Sequence, residues 1–245
     1  MSTRFPNGKR VIIVGATSSI AGSLARIYAQ QGWSLGLTGR NEERLKCLEK
    51  ELSSNTITQL MDLDDSALAR TSFEALAEKM SYVDLVIIAA GTGHIDPELP
   101  WEKELETIRT NVEGFAAIAH AAMTLFERQG YGHLAAISSI AGIRGGSAPA
   151  YCASKAFVSN YLQGLRHRAY RSGKPIHVTD ISPGFVDTPM AQGDGLFWVA
   201  SPEKAARQIH DALERRMMHA YITRRWRLIA WILKLLPESA YLRLF

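Results

Sequence analysis

The chain is short of sulfur, of excess charge and of long apolar stretches, and each shortage narrows what it can be. Only two cysteines occur among 245 residues, Cys47 and Cys152. They stand far apart and without the short spacings of metal ligands, which excludes a disulfide scaffold and a zinc site. No apolar run approaches the roughly 18 to 20 residues of a membrane span. The stretch Val11 to Val14 near the start is too brief for a signal-peptide core. Neither charge sign dominates: 28 basic against 24 acidic side chains leave a net of +4, too little to announce a nucleic-acid binder. Internal repeats, low-complexity segments and Pro/Gly/Ser-rich linkers are missing, and an apolar content of 47% argues against disorder. The expectation is one cytoplasmic domain, soluble or peripherally attached to a membrane, with no metal and no nucleic-acid partner.

What is present is alternation. Val11 to Val14 is a fully apolar run, followed by a helical pattern from about Ile20 to Gln31. Trp33 to Thr38 and Thr56 to Leu60 read as strands, each followed by a helix, Glu42 to Leu52 and Ser66 to Met80. Leu85 to Ile88 is continuous and apolar, which suits a parallel strand buried on both faces. Leu105, Ile108, Val112, Phe115, Ala119, Ala122 and Phe126 recur at steps of three and four, the mark of one long helix. His133 to Ser138, Ala153 to Tyr170 and Ile176 to Ile181 continue the alternation. This order predicts an α/β fold: a single-domain, Rossmann-like, doubly wound parallel sheet with helices on both faces and ligands at the carboxyl ends of the strands.

Gly15-Ala16-Thr17-Ser18-Ser19-Ile20-Ala21 lies between the first strand and the first helix. A dinucleotide pyrophosphate would meet free backbone N–H groups there, with Thr17 and Ser18 as hydroxyl donors. An ordinary strand-to-helix turn capped by Ser or Thr is the plain alternative. Arg40 follows the second strand, where such a fold meets the adenosine ribose. An acid there selects a 2′-hydroxyl, whereas an arginine can pair with a 2′-phosphate. A merely solvated arginine would look the same in the sequence.

The fifth strand ends in Ser138-Ser139, and Tyr151 follows with Lys155 four residues later. On a helix that spacing puts the ammonium one turn from the phenol. A nearby cation favours the phenolate and lowers the phenolic pKa from its usual value of about 10. Such a tyrosine can act as general acid in carbonyl reduction and as general base in the reverse. Ser139 can donate to a carbonyl oxygen where negative charge develops. Taken alone, a tyrosine and a lysine at this spacing are more often surface packing.

Over residues 9 to 223 the sequence resembles the short-chain dehydrogenase/reductase family, of NADP-preferring type. The carriers are Gly15 to Ala21, Asp62, Ala89-Ala90-Gly91, Asn111, Ser139, Tyr151-Cys152-Ala153-Ser154-Lys155 and Pro183-Gly184-Phe185-Val186-Asp187-Thr188. The resemblance implies a residue set. Asn111, Ser139, Tyr151 and Lys155 would be catalytic: Tyr151 the proton donor, Lys155 the group that depresses its pKa and holds the nicotinamide ribose. Ser139 would orient the carbonyl, and Asn111 would anchor a relay water. Gly15, Thr17, Ser18, Ser19 and Ile20 would hold the pyrophosphate, and Arg40 a 2′-phosphate. Asp62 and Leu63 would meet the adenine, with Ala90 and Gly91 beside them. Pro183, Gly184, Val186 and Thr188 would hold the carboxamide end.

Three departures from the family pattern stand out. Ser19 and Ala21 replace loop glycines. Ala89 replaces the asparagine after the fourth strand. Ser139 to Tyr151 is one residue shorter than the commonest spacing, which leaves Ser138 as a second candidate. The implied activity is NADPH-dependent reduction of a ketone to a secondary alcohol, with NAD the less favoured cofactor. A non-catalytic NADP(H)-binding sensor or a membrane-associated adaptor is the alternative, and a complete proton-relay set speaks against both. Met190, Gly193, Gly195, Phe197 and Trp198 fall where the family places its substrate lid. Their apolar character suits a lipid-like ketone or alcohol, such as a 3-oxoacyl or 3-ketosphinganine-like molecule, and is equally what a lid needs for its own packing. Small ketones, steroids and sugars remain open. The helices carrying Asn111 and Tyr151 form the family's usual contact surfaces, which implies a homodimer or homotetramer.

The end of the chain is different. Arg215 to Phe245 holds seven Lys/Arg and one acid, Glu238, so this segment carries +6 and the preceding residues −2. The natural division is a domain over 1–223 and a basic amphipathic helical tail over 224–245. Leu228, Trp231, Ile232 and Leu235 share one helical face, and Pro237 marks the end. Residues 224–236 would lie either in an anionic headgroup plane or folded over the substrate cleft or an oligomer contact.

Overall fold

A computed structural model describes residues 8–52, 55–94, 98–189 and 197–244. Strands β1 (Arg10–Val14) and β4 (Leu85–Ile88) are buried along their whole length. Beyond Arg10 both are continuous apolar runs, as a strand covered by helices on either side requires. They pair in parallel, Val11 opposite Leu85 through Val14 opposite Ile88. From this pair the sheet extends both ways through β2 (Ser34–Gly39), β3 (Thr56–Leu60), β5 (Gly132–Ile137), β6 (Ile176–Pro183) and β7 (His219–Ile222). All neighbours are parallel, in the order β3-β2-β1-β4-β5-β6-β7. The order reverses between β1 and β4, and such a switch point opens a crevice at the carboxyl ends of the strands.

Side chains alternate across the sheet and feed two cores. Ile12, Val14, Val86 and Ile88 point to one side, where α3 (Ser66–Met80), α5 (Phe115–Gln129) and α6 (Pro149–Ser172) supply Phe73, Phe126 and Leu162. Val11, Ile13 and Ile87 point to the other, against Leu24 and Tyr28 of α1 (Ser19–Gln30) and Ile209 of α7 (Pro202–Glu214). Helix α2 (Glu42–Leu52) adds Leu45 and Leu48 to this second core. Helix starts follow local chemistry. The Asp65 carboxylate accepts from the Leu68 N–H at 3.0 Å, and Ser201 caps α7 ahead of Pro202.

Two features depart from the sequence reading. The expected long helix is broken into α4 (Trp101–Ile108), a π-helical turn over Arg109–Gly114, and α5. A π-turn admits one extra residue, and an apolar pattern at steps of three and four absorbs it unseen. The second departure is the pair α7 and β7, which the alternation did not reveal beyond Ile181. The tail forms α8 (Trp226–Leu235) and, after Pro237, a short α9 (Glu238–Leu244).

The π-turn ends against the loop after β3. A Cβ on Gly114 would stand 2.3 Å from the Leu63 carbonyl oxygen and 2.6 Å from its Cβ. Gly114→Ala is therefore expected to lower unfolding free energy by about 1–3 kcal/mol through overpacking, read from the midpoint and slope of a urea unfolding curve.

Candidate active site

At the crevice, Gly15 leaves β1 with φ +81°, and a Cβ there would stand 2.6 Å from the Ala90 backbone. Glycine is needed both for the left-handed backbone and for this close approach. Ser18 makes no side-chain cap, and no acid occupies the first turn of α1. The N–H groups of Ser19 and Ile20 open a helix with no acceptor of its own, which suits a phosphate. Thr17 packs against Gly39, where a Cβ would come within 3.2 Å of its hydroxyl oxygen.

Beyond β2 and β3, Arg40 and Asp62 line one cavity of about 240 Å³ with Leu60, Met61, Leu68, Ala69 and Ser72. Leu63 does not line it: its side chain is buried in the core beside Phe115. Arg40 also reaches across the groove to α4, with Nη1 3.5 Å from Glu106 Oε1. Glu106 lies 3.0 Å from His94 Nε2 and 3.7 Å from Lys103 Nζ. Burial pushes the Glu106 carboxyl up, but His94, Lys103 and Arg40 hold it below the ordinary carboxylate range. Glu106 was absent from the sequence reading, since nothing local links it to Arg40.

Asn111 sits in the π-turn, fully buried. Its Oδ1 accepts from the Thr92 N–H at 2.8 Å, while Nδ2 donates to the Thr92 carbonyl at 2.6 Å and to Ser154 Oγ at 3.0 Å. Asn111 thus fastens the loop after β4 to α6. Gly91 and Gly93 make the fit feasible. A Cβ on Gly91 would stand 3.1 Å from Lys155 Nζ, and one on Gly93 2.4 Å from the Tyr151 ring. Lys155 Nζ donates to the Ile137 carbonyl at 3.0 Å and lies 5.7 Å from the Tyr151 ring centre. Ser139 stands beside the Tyr151 phenol and draws its pKa down, and the Ser139 Oγ accepts from the Ala141 N–H at 3.1 Å. The two serines are thereby told apart. Ser138 is turned inward, donating to Asp180 Oδ1 at 2.5 Å and meeting Ser182 Oγ at 2.8 Å.

The electrostatics correct one expectation. A cation one turn away was expected to lower the Tyr151 pKa, but the phenol lies above its ordinary value. Burial pushes it up, and Ser139 offsets only part of that. Burial also pulls Lys155 down to about 8, against the attraction of the Asp180 carboxylate. For Asp180 itself burial acts upward, and His219 with the hydroxyls of Ser138 and Ser159 holds it below the usual range. His219 Nδ1 stands 3.2 Å from Asp180 Oδ2.

On the substrate side, Pro183 closes β6 and Gly184 lies under the indole of Trp226, which a Cβ would enter at 2.0 Å. Val186 is buried and bridges to Ala200, while Thr188 is half-buried at the end of this loop. Phe185, Phe197, Trp198 and Trp226 form one aromatic cluster with neighbouring ring centres 5.1 to 6.1 Å apart. Phe197 and Trp198 belong to the expected lid; Met190, Gly193 and Gly195 lie outside the described residues. Trp226 was not foreseen as a wall of the cleft, and the small residue at 184 was its only trace in the sequence. A second cavity, of about 200 Å³, lies beside Ser139 and is lined by Ile143, Ser182, His219, Tyr221 and Lys234 among others.

The sequence and the fold have known counterparts. The family model described as short chain dehydrogenase matches residues 9–195. An uncharacterized oxidoreductase of Mycobacterium tuberculosis is 33% identical over 193 residues, covering 74% of this chain and 75% of that protein. The chain belongs to the short-chain dehydrogenase family, and it is an oxidoreductase. Two solved structures share its fold at low identity. A short-chain dehydrogenase/reductase from Burkholderia phymatum in complex with NAD is 19% identical with a TM-score of 0.83, covering 95% of this chain and 94% of that one. One from Sphingobium yanoikuyae in complex with NADPH is 22% identical with a TM-score of 0.77, covering 94% and 97%.

The Lys155 environment sets a pH dependence. In the ligand-free protein the ammonium is held below pH about 8 and lost above it. A limb near that value is expected in kcat/KM, which reports free-enzyme groups. Asp180→Asn removes the attraction that sustains the ammonium, so the limb should move to lower pH. Profiles of kcat/KM for both proteins, with thermal unfolding as a check on the fold, measure this.

Proposed function

We propose that the protein is an NADPH-dependent reductase that converts a ketone to a secondary alcohol on an apolar or lipid-like substrate. It would work in the cytoplasm as a homodimer or homotetramer, the assembly that the family resemblance implies. The observation that carries the reading is the meeting of Tyr151, Ser139, Lys155 and Asn111 at the carboxyl ends of β4 and β5. The fit to a dinucleotide rests on the Gly15–Ala90 contact, the uncapped start of α1 and the cavity shared by Arg40 and Asp62.

The bound nicotinamide would supply hydride to the carbonyl carbon. Tyr151 gives its hydroxyl proton to the carbonyl oxygen as the oxygen gains charge. Its raised pKa keeps that proton in place at neutral pH until the carbonyl oxygen takes it. Ser139 holds the same oxygen by a hydrogen bond that strengthens as charge develops. The Lys155 ammonium stabilises the phenolate left behind, which regains its proton from a relay water anchored at Asn111, and Asn111 keeps the loop after β4 in register with α6. The aromatic cluster of Phe185, Phe197, Trp198 and Trp226 supports an apolar substrate portion.

The preference for NADPH rests on Arg40, whose guanidinium is largely exposed and offers a charge-assisted contact to a 2′-phosphate. Two substitutions test the reading. Tyr151→Phe should cut turnover on the order of 10²–10⁴-fold while NADPH binding, followed by nicotinamide fluorescence, stays largely intact. Turnover within tenfold of wild type would remove Tyr151 from the proposed role. Arg40→Ala should weaken NADPH binding by about 1.5–3 kcal/mol and leave NADH unchanged. Because Glu106 already shares the guanidinium, the lower end of that range is expected. If neither dissociation constant moves, Arg40 does not select the cofactor.

A further inference from the structure

Helix α8 is apolar on two opposite sides, and only one is covered. At about 100° per residue, Trp226, Ala230 and the half-buried Ile229 and Leu233 fall on the inner side. Trp226 and Ala230 are buried there against Ile140, with Ile143, Phe185 and Tyr221 around them. Leu228, Trp231, Ile232 and Leu235 fall on the outer side, within an arc of about 100°. Their exposures are 64%, 63%, 49% and 79%. Leu242 of α9 adds another large apolar side chain, 71% exposed.

The helix is not loosely placed. Arg144 Nε donates to the Leu233 carbonyl at 2.8 Å and its Nη2 to the Leu236 carbonyl. The Tyr241 hydroxyl donates to the Gly145 carbonyl at 2.6 Å. These contacts, with buried Trp226, fix which side faces inward. The helix does fold against the cleft through its inner side, as one of the two sequence readings has it, and the four residues the sequence singled out are on the side turned away. An exposed apolar stripe of this size, held outward by design of the inner face, calls for an occupant.

Charge identifies it. Arg224, Arg225, Arg227, Lys234 and Arg243 accompany the stripe, with Glu238 the lone acid, and none of the five makes an ion pair among the described residues. Arg227 and Lys234 both fall along one border of the apolar arc, where the long Arg227 side chain can reach outward past apolar neighbours, while Lys234 also lines the cavity beside Ser139. A second copy seated on the stripe would bring two such cationic sets together. A lipid surface bearing negative charge complements both the stripe and the basic side chains beside it and at its two ends. We infer that the outer face of α8 docks this protein onto an anionic bilayer, with Leu228, Trp231, Ile232 and Leu235 in the headgroup–acyl boundary and the arginines at the phosphates. The helix lies in the plane of the surface: among the described residues no helix is long and apolar enough to cross a membrane.

Co-sedimentation of the full chain with vesicles tests this, using phosphatidylcholine alone or mixed with phosphatidylglycerol, at low and high salt. Wild type should pellet with the mixed vesicles at low salt, less at high salt, and little with phosphatidylcholine alone. Trp231→Ser combined with Leu235→Ser should return it to the supernatant with thermal unfolding unchanged, since both side chains are exposed. Arg227→Glu combined with Arg243→Glu should weaken binding to the mixed vesicles by at least roughly fivefold per charge. Wild type that stays in the supernatant under every condition overturns the inference. So does a dimer in sedimentation velocity that the Trp231→Ser, Leu235→Ser protein fails to form, which would give the face to a second copy.

Discussion

One buried amide holds the crevice end of the molecule together. The Asn111 side chain bonds both the N–H and the carbonyl of Thr92 and the hydroxyl of Ser154, so three segments far apart in sequence share one anchor. Each such bond contributes about 1 kcal/mol, but leaving the buried partners unpaired costs more. The consequence is geometric as much as energetic. With Thr92 fixed, Gly91 lies against Lys155 and Gly93 against the Tyr151 ring, and the Tyr151 side chain has one place to be. The π-turn is what brings Asn111 to that point, and Gly114 lets the turn close on Leu63.

The framework was plain in the sequence where the physics is local. Val11 to Val14 and Leu85 to Ile88 announce buried parallel strands by their lack of polar residues, and Glu42–Leu52, Thr56–Leu60 and Ser66–Met80 were read with the bounds the structure shows. The residues grouped by resemblance around Tyr151 do meet, and of the two serines left open by the sequence Ser139 lies beside the phenol while Ser138 is turned to Asp180. What escaped was non-local. The π-turn hides inside a compatible apolar pattern. β7 is four residues long at a sheet edge, and Glu106 stands 66 positions from Arg40 in the chain.

The Tyr151 pKa shows a subtler limit. Helical spacing reveals that a cation is near, and that consideration alone points downward. It does not reveal that the whole site is desolvated, and desolvation acts on the phenol and the ammonium in opposite directions. Tyr151 rises and Lys155 falls, so two values that nearly coincide in water move apart. The nearby Asp180 carboxylate, deep behind the site with His219, keeps the ammonium from falling further.

Gly184 and Trp226 form a single steric unit, since the indole occupies the space a side chain at 184 would need. The two positions therefore cannot vary independently. An alanine at 184 clashes while the tryptophan is present, and a smaller residue at 226 leaves a void while the glycine is present. Each single step is unfavourable although the pair together conserves volume, which is the condition for strong non-additivity between contacting sites. A lineage changing this wall of the cleft must shrink position 226 before it can fill position 184, so the order of substitution is set by packing.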